Sequence, residues 1–196
     1  MKVNIKHYNP DEPIPVRKYL RNKKLVKYFN RETAAGIVCL YELTGGENLN
    51  SDIPFYYETG LVEFEDYGLD DIVKACTEND KFSQQAFVEK GLSSISPLTQ
   101  FKILLNMPPS FISIENGLSG DNAVIYSSAS GLLIQALNAP VDSEILLGSG
   151  KVYSNGTVDS GFAIVSKSEL SNSTFLSSNH EAIEIFKDWY RRATNE

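Results

Sequence analysis

Along the first eight residues polar and apolar positions alternate. Val3, Ile5 and His7 fall on one side and Lys2, Asn4 and Lys6 on the other, which predicts a strand from Met1 to Tyr8. Pro10, Pro13 and Pro15 then interrupt regular structure. The run 16–27 is strongly basic and reads as a solvated helix or loop face. Asn30 is placed to cap a helix that continues through GIVCLYEL to about Leu43, with Glu32 in its first turn and Gly45-Gly46 as the stop. The aromatic stretch 54–64 predicts a strand, and 68–77 and 82–90 predict short helices. Ser96 followed by Pro97 starts a further helix, expected to run to Asn106 and to be closed by Pro108-Pro109. FISIE, from Phe111 to Glu115, alternates like a strand, and AVIYS, from Ala123 to Ser127, reads as a second, buried one. After the small residues Ser128-Ala-Ser-Gly, Leu132 to Leu137 opens a helix apolar almost all round, which predicts burial on every side. Ser143 to Tyr153 predicts a strand with a glycine break, hairpin-paired across SNGTVD with Gly161 to Ser166. A polar, serine-rich link from Lys167 to Asn179 leads to an amphipathic helix over 181–194. Its apolar face is Ile183, Phe186, Trp189 and Tyr190, and its cap is Asn179 or a residue near it. Strands alternating with helices give the class α/β. No repeat or low-complexity linker interrupts the pattern, so a single domain over 1–196 is expected.

Composition narrows the function classes. The 196 residues hold 18 Lys plus Arg against 25 Asp plus Glu, for a net charge of −7. That balance argues against a nucleic-acid scaffold, which would need a basic excess. Hydrophobic content of 42% is enough to build a core. No stretch approaches the ~18 apolar residues of a membrane span. Charges and prolines occupy the first 15 residues where a signal peptide would be apolar, so a cytoplasmic location is expected, with Cys39 and Cys76 as reduced thiols. The two glycosylation-type triplets, at Asn155 and Asn172, are then chance matches.

Chemical motifs are sparse. Gly148-Ser-Gly-Lys lacks the upstream glycine and the following Ser/Thr of a phosphate loop. His7 and His180 are far apart, no Cys or His pair has metal-ligand spacing, and neither a metal nor a cofactor is expected. Asp70-Asp71 and the Glu63, Glu65, Asp66 group read as solvated surface. One constellation stands out. The strand–turn–helix of AVIYS, SAS and GLLIQAL projects a side chain at the start of a buried helix, where free N–H groups and the helix dipole favour an anion. Acyl-transfer enzymes place a nucleophile there; a tight turn packed with small residues has the same appearance.

The run from Pro97 to Leu137 resembles the β-ketoacyl synthases of the thiolase fold. The residues that carry the likeness are Asn106-Met107-Pro108, Gly117-Leu118-Ser119-Gly120, Asn122 and Ser130-Gly131-Leu132, in that order. Weaker likenesses flank it. KKLVKYFNRETAAGIVCLYEL resembles the family's early helix, DSEILLGSGKVYSNG its "Gly-Gly-Ala/Ser-Glu" strand, and GFAIVSKSEL the hairpin partner of that strand, so that about 1–170 is covered. The resemblance implies half of a thiolase-like fold, a mixed sheet with flanking helices. It places the family's nucleophilic cysteine at Ser128, or at Ala129 if the gap is moved, and the sequence has no cysteine at either. The family's catalytic histidines lie in its C-terminal half, beyond the matched residues.

The implied function is a noncatalytic, chain-length-factor-like subunit. Such a subunit pairs with a full-length β-ketoacyl synthase and shapes its acyl tunnel in polyketide, fatty-acid or aryl-polyene biosynthesis. In the family the strand before the nucleophile lies at the dimer contact. The interface expected from this is Ala123, Val124, Ile125 and Tyr126, with Phe111, Ile112 and Ile114 beside them and Leu132 and Leu133 left uncovered. Two alternatives stand next to it. Ser128 would serve an acyltransferase, hydrolase or decarboxylase acting on acyl-carrier-protein thioesters, although a hydroxyl needs an adjacent base. Arg17, Arg21, Lys23 and Lys24 would dock an acidic acyl carrier protein.

Overall fold

The computed structural model describes residues 1–60, 69–91, 98, 101–102, 104–140 and 144–194. In chain order the elements are β1 (Lys2–Tyr8), α1 (Arg31–Thr44), β2 (Phe55–Thr59), α2 (Leu69–Ala75), β3 (Thr77–Glu78), β4 (Lys81–Phe82) and α3 (Gln84–Ala86), which runs on into a π turn at Phe87–Gly91. Then follow α4 (Met107–Asn116), β5 (Asn122–Tyr126), α5 (Ala129–Leu137), β6 (Ile145–Val152), β7 (Val158–Val165), α6 (Lys167–Leu170) and α7 (Ile183–Thr194). The basic segment forms two short 3-10 turns, Val16–Lys18 and Lys23–Tyr28, tied down by buried Val16 and Leu20.

Five strands make one mixed sheet in the order β1-β7-β6-β2-β5. β6, β2 and β5 are parallel neighbours, and β7 is antiparallel to both β6 and β1. Strand side chains alternate between two cores, as the pleat requires. On one face Phe55, Tyr57, Leu146 and Phe162 pack on Ile37, Val38 and Leu40 of α1 and Ile112 of α4. On the other, Tyr56, Ile145, Leu147 and Ala163 pack on Leu132, Leu133 and Ala136 of α5 and Ile185 and Phe186 of α7. The protein is therefore α/β, a mixed sheet between helical layers.

Local signals explain several elements. The Asn30 side chain accepts the Thr33 backbone N–H at 2.8 Å and caps α1, and Gly45 ends that helix at φ +64. The hairpin of β6 with β7 forms as the pattern predicts. So does the amphipathic α7, with Ile183, Phe186 and Trp189 buried. Cys39 and Cys76 are both free and buried. Among the described residues no helix is long and apolar enough to cross a membrane.

Four expectations are corrected. FISIE is helical, not a strand. Pro108, Pro109, Phe111, Ile112 and Glu115 are buried together, a three- and four-residue spacing that outweighs the short alternation. Pro108-Pro109 open α4 rather than closing a helix, because the first turn has no use for their missing N–H groups. The helix expected over 96–106 falls mostly outside the described residues, as does the end of the strand expected over 54–64. β6 runs through its glycines without a break. A Cβ on Gly148 would come within 2.6 Å of the Phe162 ring and 2.7 Å of the Tyr57 ring, so glycine serves close packing there. Finally, the 167–179 link is not featureless. Ser166 and Glu169 form a capping box at α6, and Thr174–Ser177 makes a 3-10 turn whose Phe175 and Leu176 pack beside α5.

Candidate functional site

The parallel strands β6, β2 and β5 end on one edge of the sheet. α4 packs with α1 on one face and α5 packs on the other, so the chain after β2 and the chain after β5 lie on opposite faces. Ligand sites in α/β sheets form outside the carboxyl ends of strands at such a divergence.

Two serines follow β5, and they do different things. Ser127 has φ +47, in the left-handed region that side chains rarely occupy, at the sharp bend between strand and helix. Its backbone N–H donates to the Thr59 carbonyl at 2.9 Å, which holds the bend against β2. Its hydroxyl donates to Glu181 Oε1 at 3.2 Å. Ser128 is extended, and its Oγ accepts the Gly131 N–H at 3.0 Å. It is the N-cap of α5. Ala129, the alternative position, is fully buried.

Behind Ser127 lies a polar cluster drawn from β2, β6 and the segment before α7. Lys151, 4% exposed on β6, pairs with Glu181 Oε2 at 2.9 Å. Glu58 on β2 is fully buried and stands directly opposite Ser149 in the parallel register. The Ser149 hydroxyl donates to Glu58 Oε2 at 2.7 Å, and Oε1 has no hydrogen-bond partner among the described residues. Burial pushes the Glu58 carboxyl up to about 7; the Glu181 charge adds to this, while the Ser149 hydroxyl, the Ala182 backbone amide and Lys151 pull it back. On the other face of β2, buried Glu32 accepts the Tyr57 hydroxyl at 3.0 Å and the Thr59 hydroxyl at 3.4 Å. A Cβ on Gly60 would lie 2.7 Å from Lys151 Cδ, so the chain leaves β2 hard against the lysine stem. The arrangement sets a hydroxyl on a strained bend against a carboxylate that a buried ammonium holds. Near it sits a carboxyl that exchanges its proton around neutral pH.

No family model matches this chain, and no curated protein does. The site therefore stands on its own geometry.

The residues singled out from sequence divide sharply. Phe111 and Ile112 are 5% and 0% exposed because α4 turns them onto α1, so they belong to the core and not to an interface. Leu132 and Leu133 are fully buried by this chain's own β2, β6, α7 and the 174–177 turn, so they too need no outside cover. Ile114 is 64% exposed. Among the described residues β5 is an edge strand of the sheet rather than a buried one. Ala123 and Ile125 tuck beside α5, while Val124 and Tyr126 are 43% and 52% exposed. Ile134 of α5 is also exposed, against the expectation of burial on every side. Arg17, Lys23 and Lys24 lie exposed on the 3-10 turns, and Arg21 lies exposed between them. Among the described residues no group of three His, Cys, Asp or Glu side chains is placed to hold a metal ion.

Ser127, Glu58, Ser149, Lys151 and Glu181 were not singled out from sequence. A signal existed for two of them: Glu58 in FYYET and Lys151 in ILLGSGKV are charged residues inside otherwise apolar or small-residue strands.

Proposed function

We propose that the chain is a noncatalytic, ketosynthase-like subunit that pairs with a full-length β-ketoacyl synthase and shapes its acyl-chain tunnel. The observation that carries this reading is the state of Ser128. Its Oγ accepts the Gly131 N–H as a helix cap and lies 3.3 Å from the Ser130 hydroxyl, and among the described residues it makes no hydrogen bond to a carboxylate or histidine, at the position where the resemblance puts the nucleophile. A mixed sheet between helical layers, with that position at a strand-to-helix junction, supports the same reading. The β5 edge supports pairing. A strand edge without a partner among the described residues, with Val124 and Tyr126 exposed, is a template for another chain. The test is incubation of the protein with acyl-carrier-protein thioesters, followed by intact-mass measurement. The reading predicts no acyl adduct and enhanced or altered product length when the chain is added to the ketosynthase. A stoichiometric adduct lost in Ser128→Ala overturns it.

A second reading has its own observation, the strained Ser127. Its Oγ would attack a thioester carbonyl, forming the C–O bond as the C–S bond breaks, with its proton passing to Glu181 and on to the departing thiolate. That reading moves the acyl-accepting residue one place from Ser128. It predicts an adduct lost in Ser127→Ala and kept in Ser128→Ala. Docking of an acidic acyl carrier protein on Arg17, Arg21, Lys23 and Lys24 fits either reading. It fails if reversing Lys23 and Lys24 to glutamate leaves carrier binding unchanged.

A further inference from the structure

A groove of about 990 Å³ lies between β1, the turn joining β6 to β7, and α7. It is distinct from the Ser127 cluster, and none of the resemblance accounts for it. Its centre is Asp159, 6% exposed. The register sets His7 of β1 opposite Asp159 of β7, and His7 Nδ1 meets Asp159 Oδ1 at 2.6 Å. The Tyr153 hydroxyl donates to Asp159 Oδ2 at 2.8 Å, and Lys187 Nζ pairs with the same oxygen at 2.8 Å. Burial works to raise the Asp159 carboxyl, but the bonds from Lys187, His7 and Tyr153 outweigh it and hold the group below the usual carboxylate range.

This network consumes its own charges. Lys187 uses its three N–H bonds on Asp159, Tyr153 and Glu184. Lys6, also on the groove wall, is paired with Glu42. What remains for a ligand is sharply defined. The Arg191 guanidinium lines the groove, is exposed, and has no ion-pair or hydrogen-bond partner among the described residues. His7 has one nitrogen bound to Asp159, which leaves Nε2. Ile5, Ile183 and Tyr190 supply an apolar wall. One unpaired guanidinium fork matches one planar monoanion in bidentate fashion. A dianion would meet the Asp159 charge with too few cations to offset it.

We propose that this groove binds an amphipathic monocarboxylate, with the carboxylate on the Arg191 guanidinium beside His7, and the hydrocarbon body on Ile5, Ile183 and Tyr190. The site does not depend on the ketosynthase-like reading and survives its failure.

Isothermal titration of the full chain with octanoate, octyl phosphate, octanol and octylamine tests it. Octanoate is expected to bind saturably at one site, tighter than the other three by about tenfold or more. Arg191→Gln is expected to weaken octanoate about tenfold and to leave octanol unchanged. His7→Gln is expected to weaken octanoate as well. Because Arg191 is exposed and unpaired, its variant keeps the wild-type melting temperature, which separates lost binding from lost folding. Octanoate no tighter than octanol, octyl phosphate equal to or tighter than octanoate, absence of saturable binding, or an Arg191→Gln variant that binds like wild type each overturns the proposal.

Discussion

Glu58→Gln removes an ionisation that the fold opposes. In the folded chain burial and the nearby Glu181 charge push the Glu58 carboxyl up to about 7, against an ordinary value of 4.5. A group whose folded value is raised binds its proton more tightly folded than unfolded. Its contribution is therefore fully present below the unfolded value and is lost as pH rises through the folded one. At about 1.4 kcal/mol per tenfold change, the loss amounts to about 3 kcal/mol, developed between roughly pH 4.5 and 7. Glutamine keeps the shape and can still accept the Ser149 hydroxyl, but it does not titrate. Its new amide meets the place where Oε1 had no partner, so the variant is expected to be less stable than wild type at pH 5 by about 1–2 kcal/mol. Urea unfolding of both proteins at unit steps from pH 5 to pH 9 reads the difference, in which all other titrations cancel. The wild-type advantage is expected to fall and then reverse, with half of the change complete near pH 6 and a plateau above about pH 7. Curves that stay parallel to within about 0.5 kcal/mol across that range would refute the buried, proton-bound Glu58.

Leu133→Ala should cost about 2–5 kcal/mol in chemical denaturation, since Leu133 is fully buried within this chain; a cost near zero would restore it to an interface. Ile134→Gln, one residue along on the exposed side of α5, should change stability by no more than about 0.5 kcal/mol by the same assay. Gly148→Ala should destabilise by about 1–3 kcal/mol in thermal unfolding, because its methyl would press on the Phe162 and Tyr57 rings. Asn30→Ala should lose about 1 kcal/mol and fray the start of α1, read as faster amide exchange at Thr33.

Features with a local cause were legible in the sequence. The alternation of Val3 and Ile5, the Asn30 cap with its Gly45-Gly46 stop, the turn glycine of the hairpin and the apolar stripe of α7 each act within a few residues. FISIE misled because five residues of alternation cannot reveal a helical spacing that starts at Pro108. Leu132 and Leu133 misled because an all-apolar helix says only that cover exists, not which chain provides it. At the candidate site, the small-residue junction was visible but the assignment of roles was not. Which serine takes the strained φ and which caps the helix depends on backbone geometry. Glu58, Lys151 and Glu181 come together only when β2, β6 and the segment before α7 are assembled, and no spacing in the sequence encodes that meeting. The same holds for the groove, where His7 and Asp159 meet through the register of the first strand with the last.

Co-expression of this chain with a full-length β-ketoacyl synthase, followed by size exclusion, tests the proposed reading most directly. A stable complex of defined stoichiometry is predicted, with Val124→Glu and Tyr126→Glu at the β5 edge breaking it while each variant keeps its fold. A chain that elutes as a monodisperse monomer in the presence of the synthase, with product length the same whether or not it is added, would contradict that reading.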